Sequence, residues 1–170
     1  MNEPIYKNVF IRDEETIREF YRCCYFTNSR SKLTYILLPI YLVFIFLENV
    51  SYDLTPFFVT LCIIAFIYLF AIIQYFRTTK IVIKRNNELL NGETPLKENL
   101  VFDDRIIQVA RENSFTLLME NIKYVEITKN YIYVISKAGI WCDFKKDSFT
   151  KGDAEGFIEF LRSKGIKVHK

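Results

Sequence analysis

Residues 38–76, LPIYLVFIFLENVSYDLTPFFVTLCIIAFIYLFAIIQYF, hold two long apolar runs interrupted by only two charges, Glu48 and Asp53. These two are also the only charges from Leu33 to Phe76, whereas the rest of the 170-residue chain carries all the others among its 23 Lys plus Arg and 20 Asp plus Glu. A composition of 51% hydrophobic and 25% charged residues therefore averages over two unlike phases.

The second run, Leu54–Phe76, has no charge, and as a helix it measures roughly 34 Å, enough for a hydrocarbon core of about 30 Å. The first, Leu33–Leu47, measures only about 22 Å, a length shared by buried core helices and membrane helices. Snorkelling by Lys32 at one end and continuation through Asn49–Tyr52 at the other bring it to a span, paired with the second run in a hairpin. A buried helical pair in a soluble protein is the competing reading, and the charge-free length of the second run weighs against it.

Basic residues orient the hairpin. Arg30 and Lys32 precede the first span, and Arg77, Lys80, Lys84 and Arg85 follow the second, while the connecting ENVSYD has neither Lys nor Arg. Both termini are thus expected in the cytoplasm, with Tyr35 and Tyr75 at the inner interface and Tyr52 at the outer one. Arg77, Lys80, Lys84 and Arg85 are candidate contacts for anionic lipid headgroups, each adding about 1 kcal/mol of attraction, although topology-setting charge explains them equally well. No secretory leader is expected, because no small-residue cleavage site follows the first apolar stretch.

Within the spans, Tyr41 and Tyr68 lie at matching depths of about 12 Å from the inner ends. They form a candidate interhelix polar pair, their hydroxyls bonding to each other or to a backbone carbonyl freed near Pro39. Neither apolar run contains Gly-x-x-x-Gly or any Asp, Glu, Lys, Arg or His, which argues against a helix-dimer motif and an ion relay.

Chemistry is excluded more often than suggested. Cys23, Cys24, Cys62 and Cys142 have no zinc spacing and read as free thiols of a reducing compartment, with acylation of Cys23 or Cys24 as an alternative. The single histidine, His169, cannot form a two-histidine metal site, and the five scattered glycines write no phosphate-binding loop. The adjacent acids Glu14–Glu15 and Asp103–Asp104 read as a helix's first turn and a tight turn. No catalytic, cofactor-binding or metal-binding residues are assigned, no cofactor is expected, and the chain does not read as an enzyme. Residues 77–170 carry a net charge of +4, too mild a footprint for nucleic acid. Lys145, Lys146 and Lys151 read as ordinary solvated charge.

The chain divides on this reading into a cytoplasmic strand and helix (1–32), a transmembrane hairpin (33–76), a juxtamembrane helix and linker (77–97) and a small sheet domain (98–170). The first segment has a strand at Ile5–Ile11, then a helix capped by Asp13 with Ile17, Phe20, Tyr21 and Cys24 as an apolar stripe. Beyond the hairpin the helix continues towards Gly92 and Pro95, weakened by Ile81-Val82-Ile83. Strands follow at Asn99–Asp103, Arg105–Arg111, Ser114–Leu118, Ile122–Thr128, Tyr131–Ser136 and Ile140–Phe144, with turns at Asp103-Asp104, Glu112-Asn113, Lys129-Asn130 and Lys137–Gly139. A last helix, capped by Asp153 and stopped at Gly165, presents Ala154, Phe157, Phe160 and Leu161 to a small, strongly bent antiparallel sheet or partial barrel. Trp141, in opposite phase to Ile140 and Cys142, is either docking surface or core.

The fold class is accordingly an α+β membrane protein with a pleckstrin-homology-like outline. ENLVFDDRI from Glu98 to Ile106, SFTLLMENIKYV from Ser114 to Val125, YIYVI from Tyr131 to Ile135, and FKKDSF followed by FIEFL ending at Leu161 resemble the YcxB-like family of bacterial membrane proteins. The resemblance implies a helical hairpin in the bacterial cell membrane and a pleckstrin-homology-like cytoplasmic domain. It brings no catalytic or ligand residues. One departure is Asp143-Phe144, where such proteins are expected to carry Ile-Pro, leaving the edge of that strand less clearly blunted. The expected partners are the bilayer and a protein. The expected function is a membrane-anchored, non-enzymatic interaction or sensing module, with a membrane immunity or stress-protection factor acting through its hairpin as the alternative.

Overall fold

The computed structural model describes residues 3–49, 54–89, 96–110 and 113–169. Tyr52, Gly92, Pro95 and the Glu112 side of one expected turn lie outside the described residues. The chain is α+β and forms two compact units, one of Met1–Asp13 with Leu90–Lys170 and one of Glu14–Leu89.

The first unit contains two sheets. Strand β1 (Tyr6–Ile11) is followed, after the helical unit, by β2 (Leu96–Val101), β3 (Arg105–Ala110), β4 (Asn113–Leu118), β5 (Ile122–Ile127), β6 (Tyr131–Ser136), β7 (Trp141–Lys145), β8 (Phe149–Lys151) and β9 (Val168–His169). The five-stranded sheet has the order β4-β3-β2-β1-β8 and the four-stranded sheet β7-β6-β5-β9. The bent antiparallel sheet or partial barrel expected from the hairpin pattern is formed as two sheets, and the second is mixed because β9 runs parallel to β5. Two- and three-residue strands such as β9 and β8 are too short to show a period.

The place of β1 changes the domain organisation. It pairs antiparallel with β2 from Tyr6↔Val101 to Ile11↔Leu96 and with β8 on its other side. Strands β1 and β2 are therefore the arms of one hairpin, and the entire helical unit is the insertion between them. The segment 1–32 divides at Asp13: its strand belongs to the sheet and its helix to the helical unit. In YKNVFI the alternate residues Tyr6, Asn8 and Phe10 share one face, and Asn8 and Phe10 are buried.

A core of Val101, Ile106, Leu117, Ile132, Val134 and Phe144 is closed by helix α4 (Ala154–Ser163), whose Phe157 and Leu161 are both fully buried. Asp153 caps it by accepting the Gly156 N–H at 2.7 Å. The Phe157 ring lies 4.6 Å from Phe144 and 5.6 Å from Tyr6, so β1 supplies part of the helix's seat. Just before α4, Gly152 has φ +72°, and a Cβ there would collide with the Tyr6 ring. Trp141 is half-buried, its ring edge-on to Tyr133 at 5.8 Å.

The helical unit comprises α1 (Glu14–Arg22), a π-helical turn at Cys23–Thr27, α2 (Ser29–Asn49) and α3 (Thr55–Leu89). Asn28 joins two of these elements. Its N–H closes the π turn on the Cys23 carbonyl at 2.9 Å, and its Oδ1 accepts the Ser31 N–H at 2.9 Å to cap α2. Helix α3 runs unbroken through Ile81-Val82-Ile83. Ring contacts of Phe46 with Phe57 (5.1 Å), Tyr35 with Tyr68 (4.9 Å) and Phe26 with Tyr75 (5.5 Å) show α3 running antiparallel to the incoming arm.

Two helical stretches, Glu14–Glu48 and Thr55–Glu88, are long and apolar enough to cross a membrane, with mean hydropathies of 1.6 and 2.7 in windows that are 0% and 6% buried. Phe44 is 60% exposed and Phe66 is 67% exposed.

Candidate functional site

The four cations after the second apolar run all lie on α3 and are exposed. At about 100° per residue they fall within an arc of roughly 140°. Lys80 and Lys84 line a cleft of about 730 Å³ between α1 and α3, together with Glu14, Arg18, Phe76, Ile83, Asn87 and Glu88. Arg77 and Arg85 are not among its lining residues. Arg18, which sequence reasoning did not single out, and Glu14, read there only as part of a helix's first turn, complete the cleft from the other helix. Glu14 pairs with Arg18 and Glu88 with Lys84, each at 3.6 Å across one helical turn. Both pairs are well exposed and contribute only a few tenths of a kcal/mol each. Among the described residues Lys80 has no carboxylate partner.

Tyr41 and Tyr68 do not bond to each other; Tyr68 takes the other expected partner, a backbone carbonyl freed by Pro39. Tyr41 is 59% exposed, and the Tyr68 hydroxyl donates to the Tyr35 carbonyl at 2.8 Å. The cause is Pro39, four residues on, which has no N–H to offer that carbonyl. Tyr35 and Tyr68 also stack, and Phe26 lies against both Tyr35 (6.1 Å) and Tyr75 (5.5 Å). The Tyr25 hydroxyl lies 3.3 Å from Thr78 Oγ1. An aromatic cluster therefore ties the π turn to both arms of the hairpin.

A second polar constellation lies inside the sheet unit. Strand β7 is an edge of its sheet, and side chains from the other sheet meet its backbone. Asn8 Nδ2 donates to the Lys145 carbonyl at 2.7 Å, and the Lys145 N–H donates to Asn8 Oδ1 at 3.2 Å, so one amide side chain stands in for a missing strand. Asn99 Nδ2 donates to the Asp143 carbonyl at 2.8 Å. The strand expected to be less clearly blunted is thus covered by Asn8 and Asn99. Lys97 pairs with the Asp143 carboxylate, both nearly solvent-free, and Gln108 Nε2 bridges Asn99 Oδ1 (2.8 Å) and Asp143 Oδ1 (3.3 Å). Burial holds the Lys97 pKa below its ordinary value, against the opposing attraction of Asp143, and Arg12 pushes it the same way. Each of these side chains is engaged by a neighbour, as in a lock between two sheets.

Thiol chemistry is suppressed at one cysteine in each unit. Burial pushes Cys142 up to about 12, with Asp143 adding to the shift. Cys24 is likewise pushed up to about 12, first by burial and then by Cys23, which makes it a poor nucleophile for acyl transfer. Among the described residues no group of three or more His, Cys, Asp or Glu could hold a metal ion. No model of a known protein family and no curated protein matches the chain.

Proposed function

We propose that the chain is a non-enzymatic interaction or sensing module, anchored by its helical hairpin in a bacterial cell membrane with both termini in the cytoplasm. The sheet unit is its pleckstrin-homology-like reader, of the kind found in the YcxB-like family, and a protein is its partner. The observation that carries this reading is the insertion of the helical unit between β1 and β2. The two strands that lead to the helices also carry Asn8, Lys97 and Asn99, the residues that hold β7. The helices are thus joined through the chain to the strands that lock the two sheets, which offers a route from bilayer to reader that needs no catalytic group. Exposed apolar side chains on α2 and α3, with Lys and Arg at the exit of α3, support the anchorage and its orientation.

The test is photocrosslinking in membranes, with the full chain compared with one whose α2 and apolar part of α3 are replaced by an unrelated hairpin. The same crosslinked protein in both supports the reading. Loss of the crosslink on replacement, or crosslinks confined to α2 and α3, would reject it in favour of a hairpin that is itself the working surface.

A further inference from the structure

We propose that the α1–α3 cleft is a binding site for the headgroup of a glycerophospholipid that carries a primary ammonium, as in phosphatidylethanolamine. The proposal rests on the membrane reading of the hairpin, which fixes the end of the cleft that faces the bilayer.

The antiparallel course of the two arms fixes the order of chemistry along the cleft. Phe26 meets Tyr75, and Tyr25 meets Thr78, so stepping back along the incoming arm is stepping forward along α3. Continuing that register places Arg18 level with Lys84 and Glu14 level with Glu88, residues that line the same cleft. From the bilayer outwards the lining runs from Phe76, which is 60% exposed, through Lys80, to Lys84 with Arg18, and then to Glu88 with Glu14. Successive levels are about 6 Å apart by helix rise.

That sequence of apolar, cationic and anionic levels is the order of a phospholipid: acyl chain, phosphodiester, terminal ammonium. Lys80, with no carboxylate partner among the described residues, and Lys84 with Arg18 face the phosphate. Glu14 and Glu88 face the ammonium. Their pairs with Arg18 and Lys84, at 3.6 Å and exposed, are loose enough to open for a ligand that satisfies both signs. Basic residues that only set topology need no carboxylates beyond them.

The test uses the full chain purified in detergent and measures lipid retention by native mass spectrometry, with phosphatidylethanolamine, phosphatidylcholine and phosphatidylglycerol of identical acyl chains. Phosphatidylethanolamine is expected to be retained about ten-fold better than phosphatidylcholine, whose methylated ammonium has no N–H to donate. Glu14→Gln with Glu88→Gln should lower phosphatidylethanolamine to the phosphatidylcholine level. Lys80→Gln with Lys84→Gln should lower the retention of both. All four positions are exposed, and unchanged helical circular dichroism confirms folding. Equal retention of phosphatidylethanolamine and phosphatidylcholine, stronger retention of phosphatidylglycerol, or a preference that survives the Glu substitutions would overturn the proposal. Membrane fractionation separates the two failures: a chain that stays in membranes without a lipid preference sinks this proposal alone, whereas a chain soluble without detergent sinks the membrane reading as well.

Discussion

Phe, Ile, Leu and Val serve opposite ends in the two units. In the sheet unit Ile132, Val134, Phe144 and Phe157 are fully buried, whereas in the helical unit Ile36, Phe44, Phe66 and Phe70 are more than half exposed. Polar groups invert in the same way. Asn8, Asn99, Lys97 and Asp143 are buried and bonded inside the sheets, while the hairpin's Tyr68 hydroxyl finds the one carbonyl that proline has released. One chain thus follows two sorting rules: apolar side chains turn inwards in the sheet unit and outwards in the helical unit, the pattern that hydrocarbon surroundings rather than water would favour.

The largest expected effect comes from the strand that belongs to the sheet unit across the helical insertion. A fragment of residues 96–170 lacks β1, the strand between β2 and β8, and is expected not to fold. Joining residues 3–11 to 96–170 through Asn-Gly, with Ile11 opposite Leu96, should restore a soluble, cooperatively melting sheet unit. Thermal denaturation of the two fragments decides this, and a folded 96–170 would refute the insertion.

Next in size is the lock. Lys97→Met leaves the Asp143 carboxylate buried without its cation and should cost about 3–5 kcal/mol in urea melts of the sheet unit. Adding Asp143→Leu should recover much of that, because two apolar side chains leave no unpaired charge. No recovery would mean that the ion pair is not the element that matters.

Alkaline pH gives a third contrast. Cys142 titrates at an ordinary value of 9.0 in the unfolded chain and at about 12 in the folded one. Its contribution is fully present below 9.0 and is lost as pH rises from there to about 12, because the unfolded chain sheds the proton first. The sheet unit should lose stability over that window, and Cys142→Ala should lessen the slope in parallel melts.

The smallest effect is in the hairpin. Tyr68→Phe should cost about 1 kcal/mol of hairpin stability and Tyr41→Phe nothing measurable, as read by unfolding in detergent. Equal effects would restore the direct pair.

What could be read in advance is what leaves a local trace. The charge-free run of α3, six strands with the turns that fall among the described residues, and the Asp153 cap with Phe157 and Leu161 beneath it are all local patterns, and all are present. The carbonyl released by Pro39 was legible too, since it is always four residues upstream; which tyrosine reached it was set by packing. Pairing of β1 with β2 was not legible, because no local pattern records a partner some 90 residues away. The lock left a faint signal. In LKENLV, Lys97, Asn99 and Val101 share one face, so two polar residues sit where the alternation demands core, and Asp143 stands between buried Cys142 and Phe144. The cleft depended on the packing of α1 against α3, which brought Arg18 and Lys84 to the lining of one cleft and could not be read from either helix alone.

The central claim is that α3 has hydrocarbon, not water, around its apolar face. Spin labels at Phe58, Phe66, Phe70 and Lys84 of the full chain in vesicles test it through collision with oxygen, which concentrates in the bilayer, and with a water-soluble nickel chelate. The expected result is high oxygen and low nickel accessibility at Phe58, Phe66 and Phe70, reversed at Lys84. Nickel accessibility at all four positions would contradict the claim.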